Sequence, residues 1–288
     1  MKRFHALWVA VLLILLTPGR ASAAVTYQGF ENGVSLQPYP RSAWAAAGWN
    51  ADWDLGMSNR TWVDGVNFRH SGTKALRVYY PAGQIGPENS GAQARFKLAP
   101  KREYHLSFWA RFSSDFSWGG TQFGGKLGLG LTGNATPCSG GVPCTGYNGF
   151  SSRFVWGRDG KASVYYYSMG HEGVYGDARV LKWTDGSDVY YPRGEWFHVA
   201  MKVRANTVTG GQANADGEIR AWFNRRPAAT VTGLRFVRNG DLVDAAYFSS
   251  FFGGATTDFA PTRPSYIWYD TVKVATSQAE ICELNNAC

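Results

Sequence analysis

The chain has 288 residues, with 29 Lys and Arg against 21 Asp and Glu, a formal net charge of +8 and an aromatic content of 15%. This basic balance suits an anionic partner through long-range attraction. The sequence lacks a Lys/Arg run or a known nucleic-acid-binding signature, which argues against nucleic acid as that partner.

The first 23 residues have the pattern of a secretory signal peptide. A basic start at Met1–Arg3 is followed by an apolar run, Ala6–Leu16, and by the small residues Ala21–Ala23. The apolar run is too short to remain as a membrane anchor. We therefore predict cleavage after Ala23 and a secreted protein, extracellular or periplasmic, that is free of the membrane and monomeric.

The rest of the chain, residues 24–288, is predicted to be one all-β domain. Short segments with alternating β-branched and aromatic residues recur, and Gly, Asn, Asp and Pro separate them. That spacing is typical of a β-sandwich or jelly roll. Examples of the predicted strands are Ala75–Tyr80, Ala92–Leu98, Tyr104–Phe112, Gly149–Trp156, Ala162–Ser168, Trp196–Val203, Glu218–Phe223, Ala246–Phe252 and Tyr266–Val274.

The four cysteines form two local pairs of equal spacing, and we predict the disulfides Cys138–Cys144 and Cys282–Cys288. An exported protein meets an oxidising environment, in which such pairs usually close. This pairing depends on proximity along the chain, and zinc ligation is the alternative. The first pair would fasten a Gly-, Thr- and Pro-rich loop over residues 131–148.

Two consecutive predicted strands place polar side chains on one surface. Because side chains alternate along a strand, Ser151 and Arg153 share the face opposite the apolar one, and Tyr165 and Tyr167 share a face of the next strand. The turn at residues 157–160 predicts a hairpin. Arg153 and the two tyrosines should therefore lie side by side, pointing away from the core.

This combination of side chains suits an acidic sugar. Sugar rings stack on aromatic side chains, and a guanidinium matches a carboxylate. Gln122 and Lys126, in a glycine-containing run, would help Arg153 to stabilise the charge that develops when the C5 proton of a uronate is removed. A tyrosine whose pKa is lowered by these cations would transfer protons. The alternative is an ordinary aromatic stripe beside a surface arginine.

Several ordered motifs resemble the family 14 polysaccharide lyases, and the family 20 glucuronan lyases look similar. The likeness covers roughly residues 72–274. The motifs are Gly124–Leu127, Cys138–Gly141, Gly149–Trp156, Val164–Tyr167, Phe248–Gly254 and Tyr266–Asp270, with Trp109–Phe112 upstream.

The resemblance implies a β-jelly-roll sandwich of two antiparallel sheets with a concave substrate cleft. It also implies β-elimination of alginate or glucuronan, an acidic polysaccharide partner and no cofactor for catalysis. The residues to which it assigns activity are Lys126, Ser151, Arg153, Tyr165 and Tyr167. A non-catalytic carbohydrate-binding module is the alternative function, and a glycoside hydrolase is disfavoured because no strand carries a suitable carboxylate pair.

Two further expectations concern the edge of the cleft and the ends of the chain. His171 follows the tyrosine strand, so we expect it to border the cleft and to be the next candidate for the base. Glu31 is expected to open the first strand and Asp270 to lie in the last. By resemblance to other jelly-roll sugar-binding domains, these two acids would hold a structural calcium ion. The alternative is that they only cap strands or pair with lysines.

Overall fold

A computed structural model describes residues 25–171 and 173–282 of the chain. Two antiparallel sheets pack face to face, and the predicted all-β jelly-roll sandwich is confirmed. The predicted signal peptide, residues 1–23, and Cys288 lie outside the described residues, so the Cys282–Cys288 pairing stays a prediction. None of the described helices is long and apolar enough to span a membrane.

One sheet has eight strands. Its order is β15-β14-β11-β6-β17-β4-β3, and β1 pairs with β17 beside this path. The first and last strands of the described chain are therefore neighbours. The strands are β1 Thr26–Gln28, β3 Thr61–Asp64, β4 Ala75–Tyr80, β6 Glu103–Phe112, β11 Trp196–Arg204, β14 Gly217–Phe223, β15 Arg226–Leu234 and β17 Ser265–Ala275.

The other sheet has seven strands in the order β10-β9-β8-β7-β16-β5-β2. The chain crosses between the two sheets repeatedly, so strands far apart in sequence become neighbours. The strands are β2 Ala51–Leu55, β5 Ala92–Lys101, β7 Gly125–Gly133, β8 Phe150–Trp156, β9 Ala162–Tyr167, β10 Asp177–Val180 and β16 Val243–Phe252.

The remaining regular structure is short. A small hairpin joins β12 Val208–Thr209 to β13 Gln212–Ala213, and the helices are α1 Arg41–Ala46, α2 Gly86–Asn89 and α3 Gln278–Ile281. Single 3-10 turns cover residues 158–160 and 257–259.

The core lies between the sheets and contains many aromatic rings. Phe108, Phe112, Phe154, Trp156 and Tyr269 are all at most 1% exposed. Neighbouring rings among them meet edge to face, for example Phe108 and Phe154 at 6.0 Å, an arrangement that adds to the free energy of hydrophobic burial. The core residues of each strand alternate with residues on the outward face, which is the physical basis of the sequence prediction.

The strands named from the sequence agree with the structure within a few residues, and the structure adds others. Among them are β2, β3, β10 and β15, together with β7, which extends into the segment predicted as a loop at residues 131–148. The prediction is wrong for residues 131–133, which pair with β8. Strand β7 was missed because its run Gly125–Gly133 is rich in glycine, which is unfavourable in strands.

Candidate active site

The residues singled out by the sequence lie on the outward face of the seven-stranded sheet. Strands β8 and β9 form the predicted hairpin, in which Arg153 pairs with Tyr165 and Ser151 with Tyr167. Phe154 on β8 is fully buried on the opposite side. The alternation of faces along β8 is therefore confirmed.

Arg153 is enclosed by three tyrosine rings. Its Cζ lies 5.8 Å from the ring centroid of Tyr165, 5.9 Å from that of Tyr167 and 5.5 Å from that of Tyr247. The side chain points away from the core as predicted, but these neighbours leave Arg153 only 3% exposed. Within the described residues, no carboxylate forms a salt bridge with it.

A glycine on β7 makes room for this arginine. A Cβ atom added at Gly130 would lie 2.8 Å from Cγ of Arg153 and 2.0 Å from the carbonyl oxygen of Ser152. Gly130 pairs with Tyr247 on β16. Any larger residue at this position would fill the space through which Arg153 reaches Tyr247.

Arg95, on β5 of the same sheet, has a different environment. It is paired with both Asp52 and Asp244, the latter at 2.6 Å. Its charge is thus compensated within the protein, whereas no carboxylate among the described residues forms a salt bridge with Arg153. An unpaired buried cation is energetically unfavourable, so the charge of Arg153 is available for an anionic ligand.

The two tyrosine hydroxyls are joined to each other and to the backbone. Their oxygens are 3.2 Å apart. The backbone N–H of Gly176 donates to the oxygen of Tyr165 at 2.9 Å, and the N–H of Gly141 donates to that of Tyr167 at 3.1 Å. Each oxygen therefore has a fixed donor that would stabilise a phenolate.

The expectation that nearby cations lower the tyrosine pKa is wrong for Tyr165. Burial raises the pKa of Tyr165 well above its usual value, and the hydroxyl of Tyr167 raises it further. The N–H of Gly176 and the charge of Arg153 oppose this rise without overcoming it. Tyr165 is therefore a neutral hydroxyl in the free protein at neutral pH.

Lys126 lies on β7, opposite Val155 of β8 and Phe251 of β16. Its Nζ is 4.6 Å from the ring centroid of Tyr165. Burial lowers the pKa of Lys126 from 10.5 to about 7, and the charge of Arg153 contributes to this shift. Lys126 was predicted as a cation, and its lowered pKa makes the ammonium form less favoured than in an exposed lysine.

Ser151 faces the disulfide loop, which we define as residues 138–148. Its Oγ donates to the carbonyl oxygen of Cys138 at 3.2 Å, and the side chain is fully buried. The disulfide Cys138–Cys144 is present as predicted. Because Gly141 lies inside the bridged segment, Ser151 and the disulfide together hold the N–H that binds Tyr167.

His171 lies beside this cluster, whereas Gln122 makes no hydrogen bond to it within the described part of the chain. The ring of His171 is 5.8 Å from that of Tyr167, and its Nδ1 donates to the carbonyl oxygen of Ser168. Gln122 lies in an exposed turn before β7, where its backbone N–H donates to Asp258. Among the described residues, the amide of Gln122 makes no hydrogen bond to the cluster.

Strands β2, β5 and β16 provide a part of this surface that was not predicted from the sequence. Gln93 donates to the hydroxyl of Tyr247 at 2.6 Å, and the ring of Trp53 lies 5.9 Å from that of Tyr247. The alternation along β16 places Tyr247 on the outward face. Its position beside Arg153 depends on the pairing of β16 with β7, which no local pattern reveals.

Asp270 and Glu31, the two acids proposed for calcium, both accept hydrogen bonds from the segment of residues 70–73. Asp270 accepts the backbone N–H groups of His70 and Ser71, at 2.8 and 2.9 Å. Glu31 lies beyond the end of β1, not at its start as expected, and accepts the N–H of Thr73 at 2.8 Å and its hydroxyl at 2.6 Å.

These partners do not favour a metal ion at either acid, because calcium is bound by oxygen acceptors and not by N–H groups. No group of three or more His, Cys, Asp and Glu in residues 25–171 and 173–282 is placed to hold a metal. The calcium site stays a prediction.

A comparison with protein families gives one match. The sequence model described as Polysaccharide lyase 14 matches residues 69–272, which is more than half of the chain. No curated protein sequence shows significant similarity.

Solved structures share the fold at low sequence identity. The alginate lyase Aly36B has a TM-score of 0.70 and 23% identity, with 87% of this chain and 96% of that one covered. A marine PL-14 alginate lyase from Aplysia kurodai has a TM-score of 0.68 and 22% identity, with coverage of 85% and 97%. An endo-β-1,4-glucuronan lyase from the fungus Trichoderma reesei has a TM-score of 0.51 and 17% identity, with coverage of 88% and 96%.

Proposed function

This chain belongs to the polysaccharide lyase 14 family, and from that premise we propose that it cleaves a 1,4-linked polyuronate, alginate or glucuronan, by β-elimination. The substrate class is inferred mainly from the guanidinium of Arg153. It lies among three tyrosine rings and has no carboxylate partner among the described residues. A uronate supplies both a carboxylate for that cation and a ring for those aromatic faces. Variants of Aly36B in complex with alginate trisaccharide and tetrasaccharide support the same class.

The elimination begins at C5 of the uronate. Removal of the C5 proton leaves negative charge that spreads into the adjacent carboxylate. Arg153 stabilises this charge, because it is fixed in place before the reaction and is shielded from water. The C4–O4 bond then breaks, a C4=C5 double bond forms, and O4 leaves with a proton.

Tyr165 and Tyr167 are the proposed proton-transfer groups. The raised pKa of Tyr165 keeps its hydroxyl protonated, which suits donation to the departing O4. Tyr167 accepts an N–H from Gly141 and shares a hydrogen bond with Tyr165. In a balanced relay, Tyr167 accepts the C5 proton as its own hydroxyl proton passes to Tyr165, and Tyr165 gives its proton to O4 as the C4–O4 bond breaks.

Lys126 has two possible roles in this scheme. As an ammonium it would stabilise a neighbouring phenolate, and as a free amine it would accept a proton, because its pKa is about 7. Binding of a substrate carboxylate beside it would favour the ammonium form. We assign Lys126 to electrostatic support of the tyrosine pair.

Glycoside hydrolysis receives no support from the same surface. That reaction uses two carboxylates that flank the scissile bond. Asp52 and Asp244, two acids on the same sheet, are both engaged in salt bridges with Arg95. The cluster described here instead consists of cations, tyrosines and an amide.

We further propose that the mature protein is one domain, residues 24–288, that is secreted to the extracellular space or the periplasm. The disulfide Cys138–Cys144 supports an oxidising compartment. The proposed chemistry requires no cofactor, and the monomeric state is part of the same proposal.

The decisive experiment is incubation of the mature protein with polymannuronate, polyguluronate, mixed alginate and glucuronan, each in a separate reaction. The new C4=C5 double bond is followed by its ultraviolet absorbance. Absorbance that rises with one of these polymers and not with a neutral β-1,4-glucan supports the proposal. Reducing ends that appear without the absorbance would indicate hydrolysis and contradict it.

A further inference from the structure

The outward face of the eight-stranded sheet carries a regular row of side chains that the proposed reaction does not use. Five neighbouring strands contribute one residue each, and each residue lies directly opposite the next. We call this row the Trp–Arg ladder. In order across the sheet, its members are Trp62 on β3, Arg77 on β4, Trp268 on β17, Arg111 on β6 and Trp196 on β11.

Both arginines of the ladder contact aromatic rings. Cζ of Arg77 lies 5.8 Å from the ring centroid of Trp62 and 5.6 Å from that of Tyr266. Cζ of Arg111 lies 4.1 Å from the ring centroid of Phe68. Except for Trp268, which is 5% exposed, the ladder residues keep part of their surface in contact with solvent.

Among the described residues, the arginines of the ladder have no ion-pair partner. Within residues 25–171 and 173–282, neither Arg77 nor Arg111 forms a salt bridge or a side-chain hydrogen bond. Arg111 has only a longer-range electrostatic attraction to Glu195. Elsewhere on the same face, Lys202, Arg204 and Arg220 all pair with Glu218. The two arginines of the ladder thus have no ion-pair partner among the described residues, whereas the neighbouring cations share Glu218.

We propose that the Trp–Arg ladder is a second, non-catalytic binding surface for an acidic polysaccharide chain, on the side of the sandwich opposite the candidate active site. The alternation supplies guanidinium groups for carboxylates and aromatic faces for sugar rings. Adjacent strands are about 4.8 Å apart, so the two arginines repeat at roughly 10 Å across the sheet. An extended polymer with a carboxylate on every sugar fits such a row, whereas a single small anion would need only one arginine.

This inference rests on the proposed substrate class, and its function would be to keep the enzyme on a long polymer between cleavage events. Two binding surfaces on one molecule raise the effective concentration of the polymer at the active site. Short oligosaccharides cannot reach both faces at once, so the ladder should affect only long substrates.

The test is affinity electrophoresis through gels that contain alginate, glucuronan or no polymer. Arg153→Ala serves as the background, because it weakens the contribution of the candidate active site. Adding Arg77→Gln and Arg111→Gln, which keep most of the side-chain length, should weaken polymer binding about tenfold or more, a change of about 1.4 kcal/mol per factor of ten. The matched control is Arg220→Gln, which removes one charge from the same face outside the ladder and should leave binding within twofold.

A second measurement uses the protein with its active site intact. The Arg77→Gln/Arg111→Gln variant should lose efficiency on low concentrations of long polymer and keep its kcat/KM on a short oligosaccharide. Unchanged retardation and unchanged polymer kinetics would overturn the proposal. If the double variant does not fold, as judged by its melting temperature, the single variants replace it, and each should give a measurable part of the loss.

The retardation experiment needs no turnover and therefore separates the two proposals. Retardation that depends on the ladder, in a protein that cleaves no polyuronate, would contradict the proposed reaction and leave the surface in place. Cleavage without any dependence on the ladder would contradict only the second surface.

Discussion

The guanidinium of Arg153 lies 5.5 Å from the ring centroid of Tyr247, a residue on a strand distant in sequence. Together with Tyr165 and Tyr167 from the adjacent strand, Tyr247 encloses a cation that no carboxylate of the described chain neutralises. This enclosure distinguishes Arg153 from Arg95, whose charge is balanced by two aspartates.

Replacing Arg153 tests the charge at the centre of the site. Arg153→Ala should lower kcat/KM on the polyuronate that the native protein cleaves by ~100-fold or more, as expected for a lost donor to the developing negative charge. Arg179→Ala, which removes a charge from the exposed strand β10 of the same sheet, is the control and should retain activity. A folded Arg153→Ala protein with nearly native activity would exclude this arginine from the reaction.

The tyrosine pair is tested by removing only the hydroxyls. Tyr165→Phe/Tyr167→Phe should abolish formation of the unsaturated product, because the two hydroxyls proposed to move protons between C5 and O4 are then absent. Tyr166→Phe is the matched control, since that residue lies between the two in sequence and on the opposite face. Oligosaccharide binding, measured by calorimetry, should persist in the double variant. Residual turnover would point to another base, and His171 beside Tyr167 is the next candidate.

Lys126 should make stability depend on pH in a predictable direction. Its pKa is about 7 in the folded protein and 10.5 as the unperturbed reference, so between these values the unfolded chain binds more protons. The free energy of unfolding of the native protein, relative to Lys126→Met, should therefore fall as pH decreases from 10.5 to 7 and level off below 7. Urea denaturation of both proteins across this range measures the difference, and parallel pH profiles would show that the pKa is not lowered.

The disulfide Cys138–Cys144 should stabilise the fold and support activity at the same time. Cys138→Ser/Cys144→Ser should lower the free energy of unfolding by about 2 kcal/mol, as expected for a short closed loop. Activity should fall by more than the loss of folded protein explains, because the N–H of Gly141 is no longer held against Tyr167. Mass spectrometry without reduction checks the pairing, and free thiols in the native protein would contradict it.

Asp270 is expected to hold the segment from His70 to Thr73 through hydrogen bonds. Asp270→Ala leaves two backbone N–H groups without their acceptor, so we expect a loss of stability of about 2–3 kcal/mol, measured by urea denaturation. Melting of the native protein with calcium and with a chelator then tests the metal hypothesis. A higher midpoint with calcium would support the ion, and an unchanged midpoint with no metal in elemental analysis would remove it.

Local sequence patterns were sufficient to predict the part of the candidate site that β8 and β9 form. The alternation along β8 and β9 and the turn between them place Arg153, Tyr165 and Tyr167 on one surface, because side-chain direction in a strand depends only on position along it. The spacing of Cys138 and Cys144 likewise indicated a local disulfide. Such features involve residues that are close in the chain, and the structure confirms them.

The other half was decided by tertiary structure. Tyr247, Gln93 and Gly130 join the site only because β16 pairs with both β5 and β7, a pairing set by the crossovers of the sandwich and not by any local pattern. Burial also changed the chemistry, since the pKa values of Tyr165 and Lys126 follow from desolvation that a sequence does not display. The sequence by itself thus determined which residue types share a strand face, while the packing of distant strands decided which of them meet and which protons they hold.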